Sequence, residues 1–246
     1  GMMIEDRTRT YTIAMERTVV PENFSFRMTD EEYRVLEKIK NSIPVCYLAD
    51  HADFALGIVT GNNKKFLSAE KTEHSEMVLK GTDICKYHIN PVKQYLRFEP
   101  EQFQQVAPLE IYRAPEKLLY RFISNQLVVA YDDRQMLSLN SCNIVIPKIE
   151  GMQIKYILAI LNSSVSQFVY QKEFHSIKVL RAHMEHIPIP RVGKAIQNEI
   201  IAMTEPLICG MGKEAAETCQ KRLDCRIMDL FRLSAEEQWI IRHALH

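Results

Sequence analysis

The stretch NIVIPKIEGMQIKYILAILNSSVSQFV, Asn143–Val169, holds the change of pattern on which the fold turns. Before Gly151 the apolar residues come in short β-type runs bounded by Pro147 and Gly151. After it, Ile154, Ile157, Leu158, Leu161, Val165, Phe168 and Val169 recur at helical spacing and form one broad apolar stripe. The spacing predicts a long helix near 153–171, interrupted in character by the polar Asn162-Ser163-Ser164, which can kink the helix or pack closely.

Working toward the N-terminus, residues 45–150 read as short strands separated by turn signals: CYLAD, ALGIV, FLSA, YLRFE, LEIYR, LVVAYD and NIVIP. Pro115 placed before Lys117-Leu118-Leu119-Tyr120-Arg121-Phe122-Ile123 predicts one short helix among them. A helix from Thr29 to Ser42 is marked by the capping-box spacing of Thr29 and Glu32 and by Tyr33, Leu36 and Ile39. Residues 2–28 alternate in pieces such as TYTIAM and FSFRM, which suggests strand or extended chain, and Gly1 before Met2-Met3 reads as a tag remnant.

Working toward the C-terminus, Phe174 to Val179 reads as extended. Pro188 and Pro190 then force an extended strip, Ile187-Pro188-Ile189-Pro190, which is the natural hinge between a β-rich part and a helical part. Helices are predicted at about 195–209 and 213–232, broken by Gly210-Met211-Gly212. A last helix starts at Ser234, whose spacing to Glu237 is again a capping box. Apolar positions Ile196, Ile200, Met203 and Leu207, then Leu223, Ile227 and Leu230, suit packing of the two helices on each other or docking of a partner.

Composition bounds the function classes. With 46% hydrophobic and 25% charged residues the chain can bury a sizeable core. A formal net charge of zero argues against a purely electrostatic nucleic-acid binder but not against a sequence reader with its positive charge on one face. Gly57–Arg97 has seven Lys/Arg against four Asp/Glu, and Gly151–Lys194 six against two, whereas the first 50 and last 52 residues are each net negative by two. Cys46, Cys85, Cys142, Cys209, Cys219 and Cys225 show no CxxC spacing and read as reduced thiols. No apolar run reaches the ~18–20 residues of a membrane span and no signal peptide is recognised, so a cytoplasmic protein is expected.

Catalytic signatures are absent from the sequence. Gly212-Lys213 continues with Glu214, which is no P-loop, and neither GxGxxG nor GxSxG occurs. His183-Met184-Glu185-His186 lacks the HExxH order, and further metal ligands cannot be placed around it. Four stretches draw attention instead. Gly57-Ile58-Val59-Thr60-Gly61-Asn62-Asn63-Lys64-Lys65-Phe66 reads either as a plain hairpin turn between ALGIV and FLSA or as a turn for contacting phosphates and adenine edges. Val78-Leu79-Lys80-Gly81-Thr82-Asp83-Ile84 combines a lysine with a glycine that permits close backbone approach. Leu161-Asn162-Ser163-Ser164 and the Ile187–Pro190 strip, with Gln197 after it, complete the set.

In this order and spacing, GIxTGNNxxF, LKGxDI, ILNSxxxxF and IPIP with terminal helices, the chain resembles the TaqI-like C-terminal specificity domain family from about Leu48 to its end. These are target-recognition domains of adenine-N6 DNA methyltransferases and fused restriction-methylation enzymes, and the IPIP-then-helix ending also resembles type I specificity subunits. The resemblance implies an α+β fold: an irregular, β-rich, double β-helix-like recognition region followed by a C-terminal α-helical hairpin. It divides the chain into a connecting segment with one helix (2–47), a target-recognition domain (48–190) and a helical region (191–246). The implied partners are double-stranded DNA and a methyltransferase catalytic domain or subunit, with no membrane. No cofactor is expected, because S-adenosylmethionine would sit in the partner catalytic domain. The Asn/Asp-Pro-Pro-aromatic loop that holds the target amine in such catalytic domains is absent; Asn90-Pro91 continues with Val92. The residues expected at DNA are Thr60, Asn62, Asn63, Lys64, Lys65, Lys80, Arg134, Lys178 and Arg181. Arg134, after Asp132-Asp133, has two readings, a base edge or a salt bridge to its neighbours. The rival function is a protein-interaction module, or a remnant, that docks to a methyltransferase subunit without touching DNA.

Overall fold

The computed structural model describes residues 2–5, 10–13, 28–174 and 176–245. Its centre is an antiparallel sheet of order β4-β11-β8-β9, made of Ala52–Ala55 (β4), Cys142–Pro147 (β11), Lys117–Arg121 (β8) and Val129–Asp132 (β9). Side chains alternate across this sheet, and both faces are covered. Leu118, Tyr120, Val129, Tyr131 and Val145 enter one core; Leu119, Ala130, Cys142 and Ile144 enter a second. A sheet buried on both faces needs consecutive rather than alternating apolar residues. The runs LLY, VVAY and IVI meet that need.

The first core is shared with helices: Asp30–Asn41 (α1), Ile154–Asn162 (α4), Ser164–Glu173 (α5), Lys194–Cys209 (α7), Lys213–Leu230 (α8) and Ala235–Ala244 (α9). The second core lies against a smaller sheet of order β10-β6-β7-β5, built from Leu137–Ser138 (β10), Ser75–Leu79 (β6), Tyr95–Arg97 (β7) and Leu67–Ser68 (β5). Two further pairs complete the ladders: Met2–Glu5 (β1) with Thr10–Ile13 (β2), and Val45–Cys46 (β3) with Ile189–Pro190 (β12). Three one-turn helices lie at Asn63–Phe66 (α2), Leu109–Tyr112 (α3) and Arg181–Glu185 (α6).

The mixed α+β class and the helical C-terminal end agree with the sequence reading; the β-helix-like winding does not. Among the described residues the strand ladders are antiparallel, save the short β10–β6 pair. Stacked parallel coils are therefore replaced by two small sheets. The short helix predicted after Pro115 is strand β8. Its LLY run is ambiguous by pattern, and partners on both sides, β11 and β9, decide it. LEIYR, expected as a strand, forms α3. No hairpin joins ALGIV to FLSA, because β4 and β5 belong to different sheets.

The caps expected at Thr29/Glu32 and Ser234/Glu237 are both formed, each with reciprocal side-chain to backbone bonds. The long helix near 153–171 is two helices meeting at Ser163, whose extended ψ of 158° ends α4 and whose hydroxyl caps α5 by accepting from Ser166 N–H. The proline strip is pinned rather than loose: Ile187 to Pro190 are buried, β12 pairs with β3, and Tyr156 Oη donates to Pro190 O at 2.8 Å. The first core takes residues from all three expected stretches, Val35, Ile157 and Ile227 among them. FSFRM lies outside the described residues except for Met28, and the expected extended segment from Phe174 is described except at His175.

Candidate nucleic-acid interface

The two motif glycines meet on one turn. Residues 139–142 bridge β10 and β11, and a Cβ on Gly57 would fall 2.1 Å from Leu139 O, one on Gly81 2.5 Å from Ser141 O. Only glycine allows either approach. Backbone bonds lock the junction: Leu139 N–H donates to Leu79 O, Asn140 N–H to Ile58 O, and Ile58 N–H to Ser138 O. The Asn143 carboxamide accepts from Gly57 N–H at 3.2 Å and the Ser141 hydroxyl from Gly81 N–H at 3.0 Å. The first glycine of GIxTG, Gly57, and the glycine of LKG, Gly81, are thus set by close packing of the chain on itself.

Beyond Gly57 the chain turns at Gly61, whose φ of +75° is the left-handed region, and enters α2 with Asn62 as its cap, accepting from Lys65 N–H. Thr60 is buried and donates to Asn63 Oδ1 at 2.6 Å. Asn62, Asn63, Lys64 and Lys65 are exposed, and Lys65 Nζ donates to Gln102 Oε1 at 2.6 Å. This corner is therefore a built turn with two cations and two carboxamides at its surface and Thr60 holding it from within.

Lys80 is exposed at the end of β6, and its backbone N–H donates to Asp83. Beside it the Arg121 guanidinium donates to Gly81 O at 2.8 Å and Ile84 O at 2.6 Å, tying this loop to β8. Phe122 comes next, and its carbonyl accepts from Val179 N–H at 2.8 Å, which places Lys178 and the start of α6 near the end of β8. Lys178 Nζ lies 5.9 Å from the Phe122 ring, and the Arg181 guanidinium lies 5.1 Å from that of Phe54 and pairs with Glu185 at 2.7 Å. The hydrogen bond from Arg181 to Glu185 raises its already high pKa, so it stays charged.

Arg134 stands apart from these. The buried Asp132 carboxylate accepts from Arg134 N–H and Met136 N–H, both at 2.9 Å, and pairs with Lys117 Nζ at 2.5 Å. Lys117 and Asp132 are both fully buried. Burial pushes the Lys117 ammonium below its ordinary range, with Asp132 acting against that shift. Arg134 itself is exposed on a turn whose shape this ion pair sets. The nine expected residues accordingly fall into a 60–65 corner, Lys80 beside the Gly81 loop, Lys178 and Arg181 near the end of β8, and an isolated Arg134.

Asp224 and Lys117 were not singled out by sequence for the roles they play, whereas Asn162 lies in the polar patch at 161–164 that was. Asn162 is buried, donates to Val129 O at 2.8 Å and accepts from Val129 N–H at 3.1 Å, and so acts as a strand partner for the outer edge of β9. The Asp224 carboxylate accepts from Ser164 N–H and Oγ at the start of α5. Lys117 stood in plain view as a lone charge opening an apolar run, which in a doubly covered sheet signals a buried pair. His183 has a structural place: its Nδ1 accepts from Leu180 N–H at 3.2 Å and its ring stacks on Phe174 at 4.5 Å. Among the described residues no group of three His, Cys, Asp or Glu side chains is placed to hold a metal ion, all six cysteines are free thiols, and no helix is long and apolar enough to cross a membrane.

Comparison with known proteins gives one family. Residues 76–189 match the TaqI-like C-terminal specificity domain. No curated protein matches the chain. Among solved structures, a chain from work on complex assembly and conformational transition of a type I R-M system is 13% identical, with a TM-score of 0.47 over 88% of this chain and 52% of that one. The type IIL restriction-modification enzyme MmeI in complex with DNA is 10% identical, TM-score 0.48, over 81% and 35%. The HsdS subunit from Thermoanaerobacter tengcongensis is 14% identical, TM-score 0.43, over 88% and 50%. The chain thus spans between about a third and a half of the length of these proteins. The matched segment runs from β6 through β9, β11, α4 and α5 to β12, taking in the Gly81 packing site, Asn162 and the proline strip; over these residues the chain is similar to the TaqI-like C-terminal specificity domain.

Proposed function

We propose that this chain reads a short sequence of double-stranded DNA on behalf of an adenine-N6 methyltransferase of a restriction-modification system and performs no transfer chemistry itself. The observation that carries the reading is the specificity-domain match over residues 76–189. Lys64, Lys65, Lys80, Lys178 and Arg181 neutralise phosphates, Asn62 and Asn63 offer carboxamides to base edges, and Arg134 probes the duplex from its own turn. Thr60 supports the corner from beneath. Within one shared core, 48–190 is the recognition unit, 2–47 the connecting segment and 191–246 the region that docks the catalytic partner. That partner holds S-adenosylmethionine, and the assembly works in the cytoplasm. The β-helix-like description belongs to the family resemblance and is not carried over.

One observation favours a second reading, docking without DNA contact. Between α7 and α8 lies an open groove of about 640 Å³ lined by Ala202, Met203, Pro206, Met211 and Ala215, on a chain whose net charge is zero. Electrophoretic shift on random duplexes over a salt series separates the two. DNA recognition predicts binding that weakens steeply with salt; retention of a methyltransferase subunit without any shift at low salt supports docking alone. Methyl transfer from labelled donor to DNA by the purified chain would refute the non-catalytic reading.

A further inference from the structure

The connection between β8 and β9 is a hairpin tip, and a third segment widens it. Arg121 N–H donates to Val128 O at the hairpin's root, while Ser124 N–H donates to Ile177 O and Val179 N–H to Phe122 O on its other side. These two bonds flank the Ile123–Lys178 pair, so Ile123 and Lys178 are directly opposed and share one face. Phe122, Ser124, Ile177 and Val179 share the other. The root is anchored. Val179 and Leu127 are buried, and Leu127 N–H donates to Gln167 Oε1 at 2.9 Å.

The tip is bare. Ile123 is 62% exposed and Ile177 71%, the two most exposed large apolar side chains among the described residues, and Asn125 and Gln126 are exposed between them and the root. Local bonds hold this shape: the Ser124 hydroxyl accepts from Gln126 N–H, and the Ser176 hydroxyl accepts from Lys178 N–H and donates to Lys178 O. Charge completes the description. The sequence has no Asp or Glu between Glu116 and Asp132, nor between Glu173 and Glu185, while Lys117, Arg121, Lys178 and Arg181 fall within those spans. Of these, Lys117 is buried in its pair and Arg181 shares its charge with Glu185. Lys178 remains on the flank of the tip, while the Arg121 guanidinium is held by Gly81 O and Ile84 O.

We propose that this ribbon, Ile123–Gln126 with Ser176–Lys178, is the element that enters the major groove and reads bases, which rests on the DNA-recognition reading above and moves its specificity away from the 60–65 corner. A two-stranded ribbon is of the width the major groove admits. The Asn125 and Gln126 carboxamides have the donor–acceptor pair that matches an adenine edge, and Ile123 or Ile177 supplies apolar contact for a thymine methyl. Lys178 holds an adjoining phosphate, and the corner at Lys64 and Lys65 adds sequence-independent contact. An adenine-containing target suits these side chains.

The test is binding-site selection from a randomised duplex pool with the full chain, its Asn125→Ala/Gln126→Ala double variant and its Ile123→Ala variant. All three changes are at exposed positions, and unchanged circular dichroism and melting confirm that folding is intact. The expected result is a consensus for the wild type, with loss of preference at one or two of its positions in the double variant. Affinity for the selected duplex falls roughly 5- to 100-fold, the range of one lost base contact, while affinity for random DNA stays within about twofold. An identical consensus and affinity in the variants overturns the proposal even though DNA recognition stands. A wild-type chain that enriches no sequence refutes the DNA reading and the ribbon together. Loss of a co-purifying methyltransferase subunit with an unchanged consensus reassigns the tip to protein contact and also overturns it.

Discussion

Replacing Gly57 with alanine puts the packing argument to a quantitative test. The new methyl would lie 2.1 Å from Leu139 O, 2.3 Å from Leu139 C and 2.8 Å from Cys142 O, all backbone atoms that no rotamer change can move aside. Ordinary contact begins near 3.4 Å, so the strand and the 139–142 turn must part by more than an ångström. The turn resists: Leu139 N–H to Leu79 O at 2.7 Å, Cys142 N–H to Leu139 O at 2.7 Å and Asn140 N–H to Ile58 O at 3.1 Å all cross it. Overpacking against fixed neighbours costs about 1–3 kcal/mol. Lengthening one or two of these bonds adds roughly 1 kcal/mol each. Against this, Gly57 does not need a positive φ, so alanine recovers about 0.4–1 kcal/mol of unfolded-state entropy. The net expectation is a loss of about 2–4 kcal/mol, which for a chain of this length lowers Tm by roughly 5–15 °C. Urea denaturation followed by circular dichroism, with Gly81→Ala as a companion of the same kind, reads it directly. A Gly57→Ala protein with the wild-type midpoint and slope would refute the reasoning, and would free the glycine for a role at DNA instead.

The same kinds of contact set the outcome of three other perturbations. Lys117→Met keeps the shape of the side chain but leaves Asp132 buried without its cation, and should destabilise by about 3–5 kcal/mol in the same denaturation assay; a change under ~1 kcal/mol would contradict it. Asn162→Ala deprives Val129 N–H of its acceptor, so a loss of about 1–3 kcal/mol is expected, with faster hydrogen exchange at Val129 than at its neighbour Ala130. His183 is held neutral: burial lowers its pKa below the ordinary 6.5, with His186 adding to the shift, against a raising hydrogen bond to the Lys178 backbone. The unfolded chain therefore takes up the proton first. Stability from this group is full above about pH 6.5 and is lost as pH falls through the folded value, so urea midpoints measured down to pH 5 should drop more in the wild type than in His183→Asn, which keeps an acceptor for Leu180 N–H. Parallel pH profiles in the two proteins would remove His183 as the cause.

Much of the helical half was legible because its signals are local. Thr29 with Glu32 and Ser234 with Glu237 mark helix starts through bonds made within one turn, and Gly210-Met211-Gly212 separates α7 from α8 where the composition says it should. The β half was harder for the opposite reason. Leu118-Leu119-Tyr120 is apolar on consecutive residues because two cores cover it, and only the neighbouring strands reveal that. Leu109–Tyr112 has strand-forming residues in a single helical turn, where the Tyr112 hydroxyl, accepting from Ala107 N–H and donating to Leu56 O, overrides propensity. The Gly61-Asn62 pair signalled a turn correctly, but the course of the chain beyond it depends on which sheet receives the next strand. Of the candidate site, the exposed corner at 60–65 could be read from residue chemistry alone. The ribbon at 122–126 and 176–179 could not, since it joins segments some fifty residues apart, and nothing in either one announces its partner.

The most direct test of target recognition without catalysis is selection of binding sites by the purified chain from a randomised duplex library, read by sequencing at two salt concentrations. The account predicts enrichment of one short consensus at both, with affinity falling steeply as salt rises. A library that emerges unenriched, or duplexes that bind with no dependence on salt, would contradict it.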